Sequence, residues 1–141
     1  MRKRVLPYQK RRKTSVASIN SESDLQIAVV KLLRSHGYIP VCTDLVGPAL
    51  RFIPTTQGKI NFTNWSKARG WERGIPDLLV VRPTGFFWLE LKFDKGKLSP
   101  DQIRWRDFLI ANGYEWKCWR TLEECRDFIV EEMNKRNNGL Q

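Results

Sequence analysis

The chain has 141 residues, 41% of them hydrophobic, which suffices for one domain around one core. Its 25 Lys and Arg outnumber 15 Asp and Glu, giving a formal charge of +10 that favours a polyanionic partner. No apolar run approaches the ~20 residues of a membrane span, the N-terminus lacks the apolar stretch of a signal peptide, and neither the lone His36 nor Cys42, Cys118 and Cys125 have zinc-site spacing.

Residues 1–18 form a basic arm that carries Lys10, Arg11, Arg12 and Lys13. Its residue types suit phosphate contact, and an ordinary basic tail accounts for them equally well. The predicted domain runs over 19–135, followed by a frayed tail over 136–141. Ser21 opens the first helix with Asp24 three residues on as capping-box acid, and Leu25, Ala28, Val29, Leu32 and Leu33 form one apolar stripe before Gly37. Glu22 falls in the first turn, where the helix dipole is reason enough for an acid. Tyr38–Thr43 reads as a short strand. From Asp44 to Trp71 the patterning is poor and reads as a long loop, with Arg51–Ile53 and Lys59–Phe62 as short strand pieces. The later part of this segment, Asn64 to Arg73, interleaves Lys67, Arg69 and Arg73 with Trp65 and Trp71. That mixture suits phosphate contact and base stacking, and also a solvated loop whose tryptophans fold onto the core.

Two apolar runs follow, Leu78–Val81 and Phe86–Lys92, separated by Pro83-Thr84-Gly85, and together they read as a β-hairpin. Strand alternation points Glu90 and Lys92 the same way. Asp77 stands as far before the turn as Glu90–Lys92 stand after it, so an antiparallel pairing sets them opposite one another, give or take a residue of register. Two carboxylates and an amine then converge at one end of the hairpin, the residues for a divalent-cation site with a lysine beside it. A solvated strand end with a weak ion pair is the plain alternative. Against it, Glu90 lies in Trp-Leu-Glu-Leu-Lys, a strand apolar enough to be central, where an acid needs a partner or a metal.

Ser99 caps the next helix, with Pro100 at its first position and Gln102 as capping-box partner. Ile103, Phe108, Leu109 and Ile110 are expected on its buried side. Tyr114–Trp119 reads as a strand. Thr121 opens the last helix, whose stripe of Leu122, Cys125, Phe128, Ile129 and Met133 is core, and the chain from Asn134 looks frayed. The predicted fold class is α/β: an α-β-β-β-α-β order, a mixed sheet flanked by helices, with the helix after the hairpin returning the chain to a parallel strand.

Pro76-Asp77 followed by Glu90-Leu91-Lys92 matches the PD-(D/E)xK nuclease signature. Together with Arg73-Gly74-Ile75-Pro76-Asp77-Leu78 and Gly96-Lys97-Leu98-Ser99-Pro100-Asp101-Gln102, it resembles the VRR-NUC (virus-type replication-repair nuclease) family over roughly Ser21 to Ile129. The resemblance implies a restriction-endonuclease-like core. It implies Asp77, Glu90 and the Leu91 carbonyl as ligands of Mg²⁺, with Mn²⁺ as substitute and no small-molecule cofactor. Glu22 joins directly or through water, Lys92 acts on the attacking water, and Gln102 positions water or phosphate. Lys67, Arg69 and Arg73 match a basic segment ahead of the motif, and Lys97 joins them as a candidate DNA contact.

Stand-alone members resemble structure-specific endonucleases, including four-way (Holliday) junction resolvases. The implied reading is a homodimer, since two symmetric cuts require two sites, acting on branched DNA in the cytoplasm of a bacterial or phage-infected cell and leaving 5′-phosphates. The alternatives are a nuclease for flaps, nicks or DNA ends, or a DNA-binding module without activity.

Overall fold

The computed structural model describes residues 18–139, and the candidate arm contacts Lys10, Arg11, Arg12 and Lys13 lie outside them. Nine elements follow in order: α1 (Glu22–Ser35), β1 (Ile39–Cys42), α2 (Val46–Leu50), α3 (Thr56–Lys67), β2 (Leu78–Arg82), β3 (Gly85–Leu91), α4 (Pro100–Ala111), β4 (Trp116–Trp119) and α5 (Leu122–Asn138). The sheet runs β1-β2-β3-β4, with β1, β2 and β3 antiparallel and β4 parallel to β3 across the α4 crossover. This is the predicted mixed sheet flanked by helices.

Alternation along the strands divides the sheet into two faces. Leu78, Val80, Phe87, Leu89, Leu91 and Trp119 point to one side and bury against Leu25, Val29 and Leu33 of α1 and Cys125, Phe128 and Ile129 of α5. Arg82 also points to this side. Its guanidinium lies over the Phe87 and Phe128 rings and bonds Glu115 at 2.6 Å. The opposite face is partly covered by α4, where Trp105 leans on Trp88 with ring centroids 6.3 Å apart.

Three helical expectations need correction. The segment read as a loop with strand pieces holds two helices: Lys59–Phe62 lies within α3, and Arg51–Ile53 is the turn after α2. Gly58, Asn61, Thr63 and Asn64 are weak helix formers that mask the period, but Thr55 caps α3 by accepting from the Gly58 N–H, and Ser66 bonds back to the Phe62 carbonyl. On α4 only Leu109 is buried, while Ile103, Phe108 and Ile110 are exposed, because the helix covers only part of its sheet face. Finally, α5 continues as helix to Asn138 through the stretch expected to fray, and Met133 stays half exposed beyond the end of the core.

Candidate active site

The hairpin register settles which groups meet. Leu78 pairs with Leu89, so Asp77 stands opposite Glu90. Pro76 is buried, and its carbonyl accepts a hydrogen bond from the Thr43 hydroxyl, which fixes the entry of Asp77. The Asp77 carboxylate then accepts the Leu91 backbone N–H at 2.7 Å, reaching across the open end of the hairpin. On β3, Glu90 is 1% exposed and Lys92 8% exposed, and the Lys92 ammonium lies 3.4 Å from Glu90 Oε1. The two strand residues predicted to share a face do so, and both are held out of water.

Gln102 performs two tasks at once. Its Oε1 accepts the Ser99 N–H at 2.8 Å, closing the capping box of α4, while its Nε2 donates to Glu90 Oε1 at 2.8 Å. The cap therefore aims the amide, and the amide aims the carboxylate. Glu22, in the first turn of α1, is half-buried and near enough to raise the proton affinity of both Asp77 and Glu90. Burial is the main reason both carboxyls bind their protons more tightly than usual, with Asp77 pushed up to about 6 and Glu90 to about 8; the Leu91 N–H offsets part of the Asp77 shift, the Asp77 carboxylate adds to that of Glu90, and the Lys92 ammonium lowers both.

Among the described residues, no three acidic, histidine or cysteine side chains gather into a ready metal cage. What does converge is a pair of carboxylates, Asp77 and Glu90, with Glu22 at longer range. An all-oxygen donor set of one or two carboxylates suits a hard divalent ion that keeps several waters.

Three features went unnoticed in the sequence. Asp44 is a staple: its Oδ1 accepts the Val46 and Gly47 N–H groups and the Trp71 indole N–H at 3.1–3.2 Å, closing the base of the 44–71 excursion. Trp105 donates its indole N–H to the Arg73 carbonyl at 3.2 Å. Gly74, at φ +81°, passes so close to α4 that a Cβ there would lie 2.5 Å from the Asp101 carbonyl carbon. Together the last two lock the loop before Asp77 onto the helix that carries Gln102. An Asp ahead of a helix is a legible cap signal, whereas nothing local marks Trp105.

The candidate DNA contacts are dispersed. Lys67 and Arg69 end the α2–α3 excursion, where Arg69 lies 4.0 Å over the exposed Trp65 ring and Trp65 stacks on Phe62. Arg73 is exposed immediately ahead of the Asp77 loop. Lys97 is exposed in the turn after β3, which Arg120 holds by donating to the Asp94 and Gly96 carbonyls. A cavity of about 520 Å³ between α1 and residues 42–48 carries Lys31 and Arg34 on its wall, but neither Asp77 nor Glu90 lines it. Among the described residues, no helix is long and apolar enough to cross a membrane.

A mixed α/β sheet that sets a Pro-Asp loop against Glu-x-Lys on the adjoining strand defines a nuclease-type domain of the PD-(D/E)xK class. The family model described as VRR-NUC domain matches residues 20–121, and the chain belongs to that family. A solved structure described as a VRR-NUC domain superposes with a TM-score of 0.55 at 17% identity, covering 79% of this chain and 97% of that one, a likeness of fold. No curated protein matches the chain in sequence.

Proposed function

We propose that this protein is a Mg²⁺-dependent structure-specific DNA endonuclease, acting as a homodimer on four-way junctions. The observation that carries the catalytic part is the buried Glu90–Lys92 pair with half-buried Asp77 opposite Glu90 and Gln102 bonded to Glu90. Two carboxyls with raised proton affinity at one strand end are an expensive arrangement for a fold and a useful one for binding a cation. Asp77 and Glu90 would hold the ion, with the Leu91 carbonyl and Glu22 as further ligands, and Mn²⁺ would substitute. When bound, the ion supplies an acidified water and charge neutralisation at the scissile phosphate.

The chain's own groups complete the reaction site. The Leu91 N–H and the Gln102 amide hold the two carboxylates in place. The Lys92 ammonium has three donors, more than one carboxylate oxygen takes up, and those remaining orient the attacking water or bind a phosphate oxygen. Lys67, Arg69, Arg73 and Lys97 contact backbone phosphates on either side, Trp65 offers a stacking surface, and Lys10, Arg11, Arg12 and Lys13 extend the phosphate contacts.

The test compares labelled substrates of matched sequence: an immobile four-way junction, a flap, a nicked duplex and an intact duplex. Paired, symmetric nicks across the junction point that need Mg²⁺ support the full reading. Equal cutting of all four keeps the nuclease and removes the junction preference. Tight binding without cutting in Mg²⁺ or Mn²⁺ points to a DNA-binding module instead.

A further inference from the structure

The sheet face that carries Asp77, Glu90 and Lys92 is ordered in rows. Farthest from the charged set, Ile39, Val81 and Phe86 are direct partners across three strands, and Tyr114 lies 6.2 Å from Phe86 between ring centroids. In the next row Val41 pairs with Leu79 and Leu79 with Trp88. Trp88 sits beneath Trp105, and Phe108 packs edge-on to Trp105 at 6.4 Å. Neither row holds a charged side chain; the charges begin only with Asp77 and Glu90 in the third, and Lys92 follows in the row beyond. Ile39 is 61% exposed, Val41 44%, Val81 36%, Phe86 42%, Phe108 60% and Tyr114 47%.

With a fully exposed side chain of this kind presenting about 150–250 Å², the six leave roughly 550 Å² of apolar surface open, at the upper end for a monomer. One side of a standard interface buries about 800 Å², somewhat over half of it apolar, so the patch is the right size for one partner's share. The two rows themselves hold no charge, and Arg73, Arg104 and Glu72 stand only beside Trp105 and Phe108 at one margin. A polyanion therefore finds no cation along the rows, whereas a second copy of a chain at +10 meets there an apolar surface without like-charge repulsion.

We infer that this open sheet face, with Phe86, Tyr114 and Phe108 at its margin, is a self-complementary interface for a second copy of the chain. A two-fold contact through it brings the apolar rows together and leaves the charged row of each copy at the edge, so the two Asp77–Glu90 sites flank one interface. The inference rests on the reading of paired cuts by a dimer and names the surface that would join the two sites.

The test is sedimentation velocity of the full chain, wild type against Ile39→Lys and Phe86→Lys, two exposed positions where a lysine can be tolerated in the folded monomer. The circular dichroism melt of each variant reports folding separately. Each substitution enters a two-fold interface twice, so the dimer dissociation constant should rise about a hundredfold or more. The expected result is a wild type at twice the 16.6 kDa chain mass and folded variants at 16.6 kDa that nick junctions singly instead of in pairs. Variants that remain dimeric overturn the assignment of this face. A wild type that is monomeric at 100 μM, or that dimerises only after residues 1–17 are removed, overturns the second copy as its occupant. Failure of the wild type to cut any DNA would instead fail the nuclease reading and leave the mass measurement to decide the interface alone.

Discussion

Replacing Asp77 with Asn should stabilise the metal-free fold while abolishing cleavage. Asp77 is largely withdrawn from water, and this burial, with a smaller push from Glu22, moves its carboxyl up from 3.8 to about 6. The native state therefore keeps a proton that the unfolded chain has released above pH 4, so stability falls as pH rises through the window between about 4 and 6, and the loss is complete near pH 8. A shift of about two units corresponds to about 3 kcal/mol, which in a domain of this size is about 10 °C in Tm. Asn keeps the oxygen that accepts the Leu91 N–H and removes the charge. Glu90, itself pushed up to about 8, gains as well, because the neighbouring carboxylate that raises it is gone. Thermal melts in EDTA at pH 4.5 and pH 8 isolate the effect: about a third of the full gap at the lower pH and a variant higher by several degrees at the upper. Millimolar Mg²⁺ at pH 8 should narrow the gap by stabilising only the wild type. A variant less stable than wild type at pH 8 would refute the reasoning, since it would mean that the Asp77 charge is satisfied within the fold.

Other substitutions probe the supports of the same site. Gln102→Ala removes a hydrogen bond to a carboxylate, a loss of roughly 1.5–3 kcal/mol in placing Glu90; cleavage should slow about 10- to 100-fold with DNA affinity nearly unchanged, and equal rates would mean that only the cap matters. Gly74→Ala sets a Cβ against the Asp101 backbone at a positive φ, so the fold should lose about 2 kcal/mol or more in chemical denaturation. Trp105→Phe keeps a ring beside Trp88 but deletes the donor to the Arg73 carbonyl; stability should fall by about 1 kcal/mol and cleavage by more than binding. Deleting residues 1–17 should weaken DNA binding and flatten its dependence on salt while leaving metal binding intact, and an unchanged slope would remove that segment from the interface.

The hairpin was legible because two local signals agreed. The Pro-Thr-Gly break set the turn, and alternation in Trp-Leu-Glu-Leu-Lys put Glu90 and Lys92 on one face, so counting placed Asp77 opposite Glu90–Lys92 to within a residue, and the observed register makes Glu90 the partner. The caps at Ser21, Ser99 and Thr121 were legible for the same reason: each is a side chain acting three residues away. The α2–α3 helices were not, because Gly58 and the Asn and Thr residues around it hide the helical period, and because the excursion is closed by the contact of Asp44 with Trp71, 27 residues apart in sequence. The exposed side of α4 was misread for a related reason. Ile103, Phe108 and Ile110 are apolar, but whether an apolar residue is buried depends on how much of the sheet lies beneath the helix. The link between Gln102 and Glu90 could be suspected from family resemblance, yet its geometry rests on Gly74 and Trp105 holding the Asp77 loop against α4.

The most direct test of the central claim is cleavage of end-labelled branched DNA by the wild type and by Asp77→Ala, each in Mg²⁺ and in EDTA, with product ends mapped. The account predicts cutting by the wild type in Mg²⁺ only, 5′-phosphate ends, and no cutting by the variant although it still binds the DNA. Cleavage that survives EDTA, or that Asp77→Ala carries out at the wild-type rate, would contradict it.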